Sequence, residues 1–213
     1  MTTHVFGLHE GLRTATRFPA IDRPNQSISR LETATLLGAG AVAAAATGMV
    51  RLGLTIPGSA IVMAVLPMAL GLALVPRRLA GVIMAGGAFS TALALSGAGL
   101  ARYGSGAMTS LCLTGPLLDL AVAGAGSGSR LYGALILAGM ASNVAAFLQR
   151  AASKVLLLDG PGTRPFATWW PQALVTYALC GAAAGGVAAI LWFEFQRPPP
   201  GSRRRGLHRD RRH

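Results

Sequence analysis

The chain has 213 residues, of which 52% are hydrophobic and 12% are charged. A soluble domain carries about 25% charged residues, so the composition excludes an ordinary soluble globular protein and indicates an integral membrane protein. Lys and Arg outnumber Asp and Glu by 19 to 7, but such a surplus beside apolar segments is typical of topology signals and of attraction to anionic membrane lipid, not of nucleic-acid binding.

Polar segments flank the apolar part of the chain. Residues 1–32 contain four arginines and two prolines and are predicted to form a polar cytoplasmic tail. Residues 196–213 contain seven arginines and are predicted to form a basic, disordered cytoplasmic tail. The membrane domain is therefore predicted to extend over residues 33–195.

Six apolar stretches reach the roughly 20 residues that an α-helix needs to cross about 30 Å of hydrocarbon. The connections are short except for the fifth, residues 150–171, so we predict that sequence neighbours pair as antiparallel hairpins. The predicted fold class is all-α, a polytopic membrane protein with six transmembrane helices in one bundle. The predicted spans are residues 33–52, 56–75, 79–98, 106–125, 131–149 and 172–194.

Positive charge predicts the orientation of these spans, because cytoplasmic loops carry an excess of Lys and Arg. With six spans, both tails and the second and fourth loops share one side, and together they hold 14 basic residues. The opposite side holds five. We therefore predict a multi-pass protein of the cell (inner) membrane with both termini in the cytoplasm.

The first span, ATLLGAGAVAAAATGMV, is the richest in glycine and alanine. Four-residue spacing places Ala39 with Ala43, and Gly40 with Ala44, on shared helix faces, which form a nearly flat ridge. Small residues let helices approach closely in lipid. This ridge is predicted either to pack inside its own bundle or to dock a separate membrane subunit.

Asp119 is the one acid deep inside an apolar stretch. A carboxylate at such depth costs about 2.5–3.5 kcal/mol on insertion scales, so a membrane chain usually keeps one for a function or a specific partner. Asp119 shares a helix face with Pro116, whose missing N–H disturbs the helix. In the predicted topology it lies in the cytoplasmic half, which favours either protonation or pairing with Arg130, and a structural or coupling role.

The candidate ligand contacts lie in the outer half of the last two spans. Asn143 has an amide that needs a partner, either another helix or a ligand. Trp169 and Trp170 follow a loop rich in proline and glycine, and are predicted to be either membrane-surface anchors or a lid over an outward-facing pocket. Tyr177, nearly two helical turns further, points the same way.

Sequence motifs of enzymes are absent. The chain has no H-E-x-x-H, no serine elbow, no Walker lysine and no cluster of Cys and His. We therefore predict a protein that is not an enzyme and has no cofactor and no metal site. Cys112 and Cys180 lie inside apolar spans, where structural thiols are the common case.

The architecture resembles the S components, which are the substrate-binding membrane subunits of energy-coupling factor transporters. The resemblance covers about residues 33–196 and includes the six spans, the small residues of the first helix, the PRR turn at residues 76–78 and the glycine-rich last helix, YALCGAAAGGVAAILWF. It implies that the protein binds a vitamin-like molecule or a metal ion from outside, and associates with a transmembrane coupling subunit driven by cytosolic ATPases.

By the same resemblance, Ala39 and Ala43 would match the family's alanine docking motif. Asn143, Trp169 and Tyr177, together with Trp170, would be ligand contacts. The leading hypothesis is thus a substrate-binding subunit for uptake of a small solute, coupled to separate ATPase subunits. The alternative is a non-catalytic structural or assembly protein that packs against its partners through Gly/Ala-rich helices.

Overall fold

The computed structural model describes residues 28–49, 60–125, 129–156 and 166–195. Residues 1–27 of the predicted N-terminal tail and the whole predicted C-terminal tail, 196–213, lie outside these ranges. The described residues form helices and their connections, without β-strands. The helices are α1 (Arg30–Met49), α2 (Ala60–Leu74), α3 (Ala80–Gly97), α4 (Ser105–Ala125), α5 (Ser129–Leu156) and α6 (Phe166–Phe195).

Four of these six helices are long and apolar enough to cross a membrane, in agreement with the predicted all-α membrane class. The helix α2 is apolar over Ile61–Leu74 but is shorter than the others. The helix α1 has 20 residues and carries Arg30 and Glu32 in its first turn. The four segments that qualify are Ala80–Gly97, Ser105–Ala125, Ser129–Lys154 and Trp169–Phe195.

The helix α1 begins with a capping box. The backbone N–H of Ser29 donates to Oε2 of Glu32 at 2.8 Å, and the backbone N–H of Glu32 donates to Oγ of Ser29 at 3.2 Å. These bonds satisfy N–H groups that have no partner inside the helix. As a result α1 begins at Arg30, before the predicted start at residue 33.

The helices form a closed ring whose order differs from their order in the chain. Around the ring, α1 is followed by α3, α4, α5, α6 and α2, and α2 returns to α1. The helix α2 contacts all five other helices, and its Val65, Met68 and Leu72 are buried in the main core. The prediction that sequence neighbours pair is wrong for α2 and α3, which have few contacts with each other. The helix α2 packs mainly on α1 and α6, and α3 packs mainly on α1 and α4.

Close backbone contacts occur between helices that are neighbours in this ring. A Cβ atom at Gly40 of α1 would collide with the carbonyl oxygen of Met84 on α3. A Cβ atom at Gly139 of α5 would lie 2.8 Å from the backbone nitrogen of Gly185 on α6. Such contacts agree with the expectation that small residues drive helix packing in lipid.

The last two helices extend past their predicted limits. The helix α5 continues to Leu156 and α6 begins at Phe166, so most of the predicted 150–171 loop is helical and residues 157–165 lie outside the described part. Pro171 lies inside α6, where it removes one early hydrogen bond without ending the helix. Trp169 and Trp170 therefore belong to a helix and not to a loop.

Candidate functional site

Polar side chains gather at the two opposite ends of the bundle. We call them the Arg77 end, formed by residues 29–32, 77–82 and 119, and the Trp169 end, formed by residues 143–154 and 169–177. Because α3 and α4 run in opposite directions, as do α5 and α6, each end combines the start of one helix with the last turns of another.

At the Arg77 end, Asp119 of α4 caps the start of α3. Its Oδ2 accepts a hydrogen bond from the backbone N–H of Val82 at 3.1 Å. Leu79, the residue before α3, supplies no side-chain cap and has a left-handed backbone with φ of 67°. The first N–H groups of a helix have no partner inside it, so a carboxylate from the neighbouring helix takes that place. The positive end of the helix dipole favours its charge.

A glycine pair brings this carboxylate to α3. A Cβ atom at Gly81 would collide with the carbonyl oxygen of Gly115, and would lie 2.9 Å from Cγ of Asp119. A Cβ atom at Gly115 would collide with the carbonyl oxygen of Gly81 in turn. The missing side chains therefore let α3 and α4 cross in backbone contact beside the cap.

The predicted ion pair between Asp119 and Arg130 does not form. Arg130 is exposed at the start of α5, and no ion pair joins it to Asp119 within the described chain. The physical reason is that the backbone N–H groups at the start of α3 already satisfy the carboxylate.

Arg77, on the connection between α2 and α3, ties α1 to the same end. Its Nη2 and Nε lie 3.1 Å and 3.3 Å from Oε1 of Glu32. The backbone N–H of Ser29 and then the Arg77 guanidinium hold the pKa of Glu32, which lies before the predicted apolar span, below its ordinary value. Both side chains are partly exposed, so the pair positions α1 more than it stabilises the bundle.

A partly open groove of about 550 Å³ lies between α3 and α4 at the Arg77 end. Arg78, which is exposed, reaches it beside Arg77. Pro116, Asp119 and Ala123 share one wall, in agreement with their spacing along α4. The complete lining consists of Arg77, Arg78, Leu79, Val82, Pro116, Asp119, Leu120, Val122 and Ala123.

Three of the four predicted ligand contacts meet at the Trp169 end. The side-chain amide of Asn143 donates to the carbonyl oxygen of Tyr177 at 2.7 Å, so it bonds another helix. The Phe147 ring lies between those of Trp169 and Tyr177, with centroids 6.2 Å and 5.5 Å away. These aromatic residues form a small cluster separate from the main core. The fourth predicted contact, Trp170, is 39% exposed.

Two cations of α5 extend this aromatic cluster. Nζ of Lys154 lies 5.0 Å from the centroid of the Trp169 ring. Nη1 of Arg150 donates to the hydroxyl of Tyr177 at 3.3 Å. The predicted ligand set did not include either cation. Their four-residue spacing on one helix is the sequence signal that places them together.

The small-residue ridge of α1 packs inside the bundle. Gly40, Ala43 and Ala44 are buried, and Ala39 is half-buried. The hydroxyl of Tyr103 donates to the carbonyl oxygen of Ala44 at 2.8 Å. Three of the four ridge residues thus pack against helices of their own bundle, as in the first of the two predicted alternatives.

A polar contact between two hydroxyl groups joins α4 to α5 in the interior of the bundle. The hydroxyls of Thr114 and Ser142 lie 2.7 Å apart, and both residues are buried. Oγ of Ser110, which is also buried, has no hydrogen-bond partner among the described residues. Interhelical hydroxyl contacts of this kind hold membrane helices together.

No protein-family model, no curated protein and no solved structure matches this chain. The function is therefore inferred from the two polar ends of the bundle. One carries a capped carboxylate beside arginines, and the other carries aromatic rings beside cations.

Proposed function

We propose that the protein is a membrane-embedded subunit that binds a small solute at the Trp169 end, without being an enzyme. The observation that carries the proposal is the meeting of Asn143 and Tyr177 with Trp169, next to Arg150 and Lys154. Aromatic rings with a few polar groups are typical of small-molecule sites. The buried part of the cluster would form the floor, and the solute would lie against the more exposed side chains.

The charges at the Trp169 end favour a negatively charged solute. Arg102, on the α3–α4 connection, lies at the same end as Arg150 and Lys154, whereas the acids of the described chain lie toward the opposite end. A region of positive charge attracts negatively charged ligands. The aromatic rings offer flat apolar faces. A small organic anion with a planar part fits these groups better than a metal ion, since the described residues hold no group of three or more His, Cys, Asp or Glu.

The proposal includes six membrane spans with both termini in the cytoplasm of a cell (inner) membrane. The helix α1 covers most of the first predicted span, residues 33–52, and α2 contacts all the other helices. The excess of basic residues, 14 against five, would place the Arg77 end inside and the Trp169 end outside. The solute would then be taken up from outside.

The resemblance to S components extends the proposal to a coupling subunit and separate ATPases. A coupling subunit would not meet Ala39 and Ala43 in the way the resemblance implies, because the described bundle covers that ridge. It would meet the outer face of α1 instead, where Gly38 has no neighbouring atom near its missing Cβ and Val42 is 58% exposed.

The alternative function is a structural or assembly protein that holds partners through small-residue surfaces. Against it, the interfaces of Gly40, Gly81 and Gly139 are used between helices of this chain. A purely structural role also gives no reason for two cations beside an aromatic cluster.

The test is purification of the full chain from its own membranes in mild detergent, followed by native mass spectrometry of wild type, Arg150→Gln and Trp170→Ala. The matched control is Arg130→Gln, which removes an exposed arginine from the other end of α5. A bound small molecule lost from Arg150→Gln and kept by the control supports the proposal. A preparation with neither a bound solute nor an associated ATPase overturns it.

A further inference from the structure

The groove at the Arg77 end combines a polar mouth with apolar walls. Arg77 and Arg78 lie at one end of it, on the connection before α3. The walls that follow are exposed apolar side chains: Leu79 is 62% exposed, Val82 45% and Leu120 65%. Both helices that form the groove qualify as membrane spans, and the groove lies at the start of α3 and beside the last turns of α4.

Of the two cations that line the groove, Arg78 is the one that no described acid holds. The guanidinium of Arg77 is held by Glu32 at 3.1 Å, whereas Arg78 is exposed and forms no ion pair with any described side chain. Glu32 does not line the groove. The lining thus contains two cations and one acid, and that acid is already bonded to the start of α3.

We infer that this groove binds one anionic phospholipid, with the headgroup phosphate on Arg78 and Arg77 and an acyl chain along Val82 and Leu120. A guanidinium binds phosphate oxygens through paired N–H donors. Basic pockets between membrane helices are suited to lipid headgroups. The volume of about 550 Å³ lies within the range of about 300–1,000 Å³ for small-molecule sites.

The apolar walls distinguish a lipid from a free anion. A soluble phosphate would need only the two arginines, and would leave Leu79, Val82 and Leu120 without a function in binding. An acyl chain would cover these apolar walls. The same arginines therefore fix the headgroup, and the walls between α3 and α4 fix the chain.

Asp119 sets the depth of the headgroup. Its carboxylate lines the groove beyond the arginines, next to Val82 in the first turn of α3. Its Oδ2 is already bonded to the backbone N–H of Val82, so it offers the phosphate no contact that competes with the two guanidinium groups, and the phosphate stays at the arginines. This site lies at the opposite end from the proposed solute site, and its test is independent of that function.

The experiment is a lipid titration of the full chain in detergent, read by native mass spectrometry and by thermal unfolding. The probes are phosphatidylglycerol, phosphatidylcholine and inorganic phosphate. We expect one tightly bound phosphatidylglycerol and an upward shift of the unfolding temperature. Arg78→Gln should weaken its binding about fivefold, since a basic residue near an anionic lipid surface contributes about 1 kcal/mol.

Two further variants separate the headgroup contacts from the walls. Arg130→Gln is the control, because it removes an exposed arginine that does not line the groove, and it should bind phosphatidylglycerol like wild type. Ala123→Phe keeps both arginines and fills the wall, and should weaken binding as well. Equal affinity of wild type and Arg78→Gln, equal binding of phosphatidylcholine, or the same stabilisation by inorganic phosphate alone would overturn the inference.

Discussion

Oδ2 of Asp119 accepts a hydrogen bond from the backbone N–H of Val82 across the contact of α4 with α3, at 3.1 Å. This relationship satisfies two groups at once. The helix start after Leu79 lacks a side-chain cap of its own, and the carboxylate lacks an ion-pair partner among the described residues. A carboxylate at a helix N-terminus is electrostatically favoured, so an acid within a membrane span is accommodated without a cation.

The cap predicts different effects for two substitutions of Asp119. Asp119→Ala removes the acceptor and should destabilise the bundle by about 1 kcal/mol, the usual cost of losing an N-cap. Asp119→Asn keeps an oxygen acceptor and loses only the charge, so it should cost less. Thermal unfolding in detergent measures both. Thr109→Ala, at a partly buried position on the same helix whose hydroxyl bonds the carbonyl oxygen of Ser105 within α4, is the control. A wild-type stability for Asp119→Ala would refute the cap.

The glycine pair beside the cap predicts that Gly81→Ala is destabilising. The added Cβ would collide with the backbone of Gly115, and such overpacking costs about 1–3 kcal/mol. Gly86→Ala is the matched control on the same helix, because nothing lies within 4 Å of its Cβ position. Alanine favours the helix over glycine by up to about 1 kcal/mol, so Gly86→Ala should be neutral or stabilising. Equal unfolding temperatures for the two variants would contradict the close contact.

The all-α class follows from composition and apolar lengths, because these depend on local sequence alone. The order of the helices in the ring does not follow in this way. It depends on which small residues meet, as with Gly40 and Met84, and no local pattern specifies the partner of a given glycine.

The candidate sites were also only partly predictable, because spacing along one helix is a local property whereas contacts between helices are not. Spacing along one helix correctly places Pro116 and Asp119 on one wall. The bonding partner of Asp119 was missed because it is a backbone N–H on another helix, which no residue type reveals. A leucine in left-handed conformation, Leu79, leaves the start of α3 without its own cap, and that conformation is not a preference of leucine.

The ion pair of Glu32 with Arg77 predicts a pH-dependent contribution to stability. Because the pKa of Glu32 is lowered in the folded state, its contribution is present above its unfolded pKa of about 4.3 and is lost as the pH falls through the folded pKa. The difference in unfolding temperature between wild type and Glu32→Gln should therefore be full at neutral pH and should shrink in acid. Part of this difference in unfolding temperature should disappear when both chains also carry Arg77→Gln. An unchanged difference in acid would contradict the lowered pKa.

The buried hydroxyls between α4 and α5 predict opposite effects for two serines. Ser142→Ala removes the contact with Thr114 at 2.7 Å and should cost about 0.6 kcal/mol, the average for interhelical hydrogen bonds in a membrane. Ser110→Ala removes a hydroxyl that has no partner among the described residues, and should be neutral or stabilising because an unsatisfied polar group is lost. Equilibrium unfolding in mixed micelles compares them, and a larger loss for Ser110→Ala would show that its hydroxyl has a partner.

The contact of Tyr177 with Arg150 separates solute binding from folding. Tyr177→Phe keeps the ring against Phe147 and the backbone carbonyl that accepts from Asn143, and removes only the hydroxyl 3.3 Å from the guanidinium. We expect only a small loss of thermal stability, since Arg150 is exposed and its guanidinium can bond water instead of the hydroxyl. The fraction of purified protein that carries solute should fall, because Arg150 loses the group that orients it.

Tyr132→Phe is the matched control for Tyr177→Phe. Tyr132 stacks on Phe193 at 5.7 Å, near the start of α5 and the end of α6, so the same loss of a hydroxyl occurs at the other end of the same helix pair. Native mass spectrometry of both variants should show a reduced bound fraction for Tyr177→Phe alone. Equal bound fractions would mean that the hydroxyl of Tyr177 only packs α6 against α5, and the solute site would then have to lie away from Arg150.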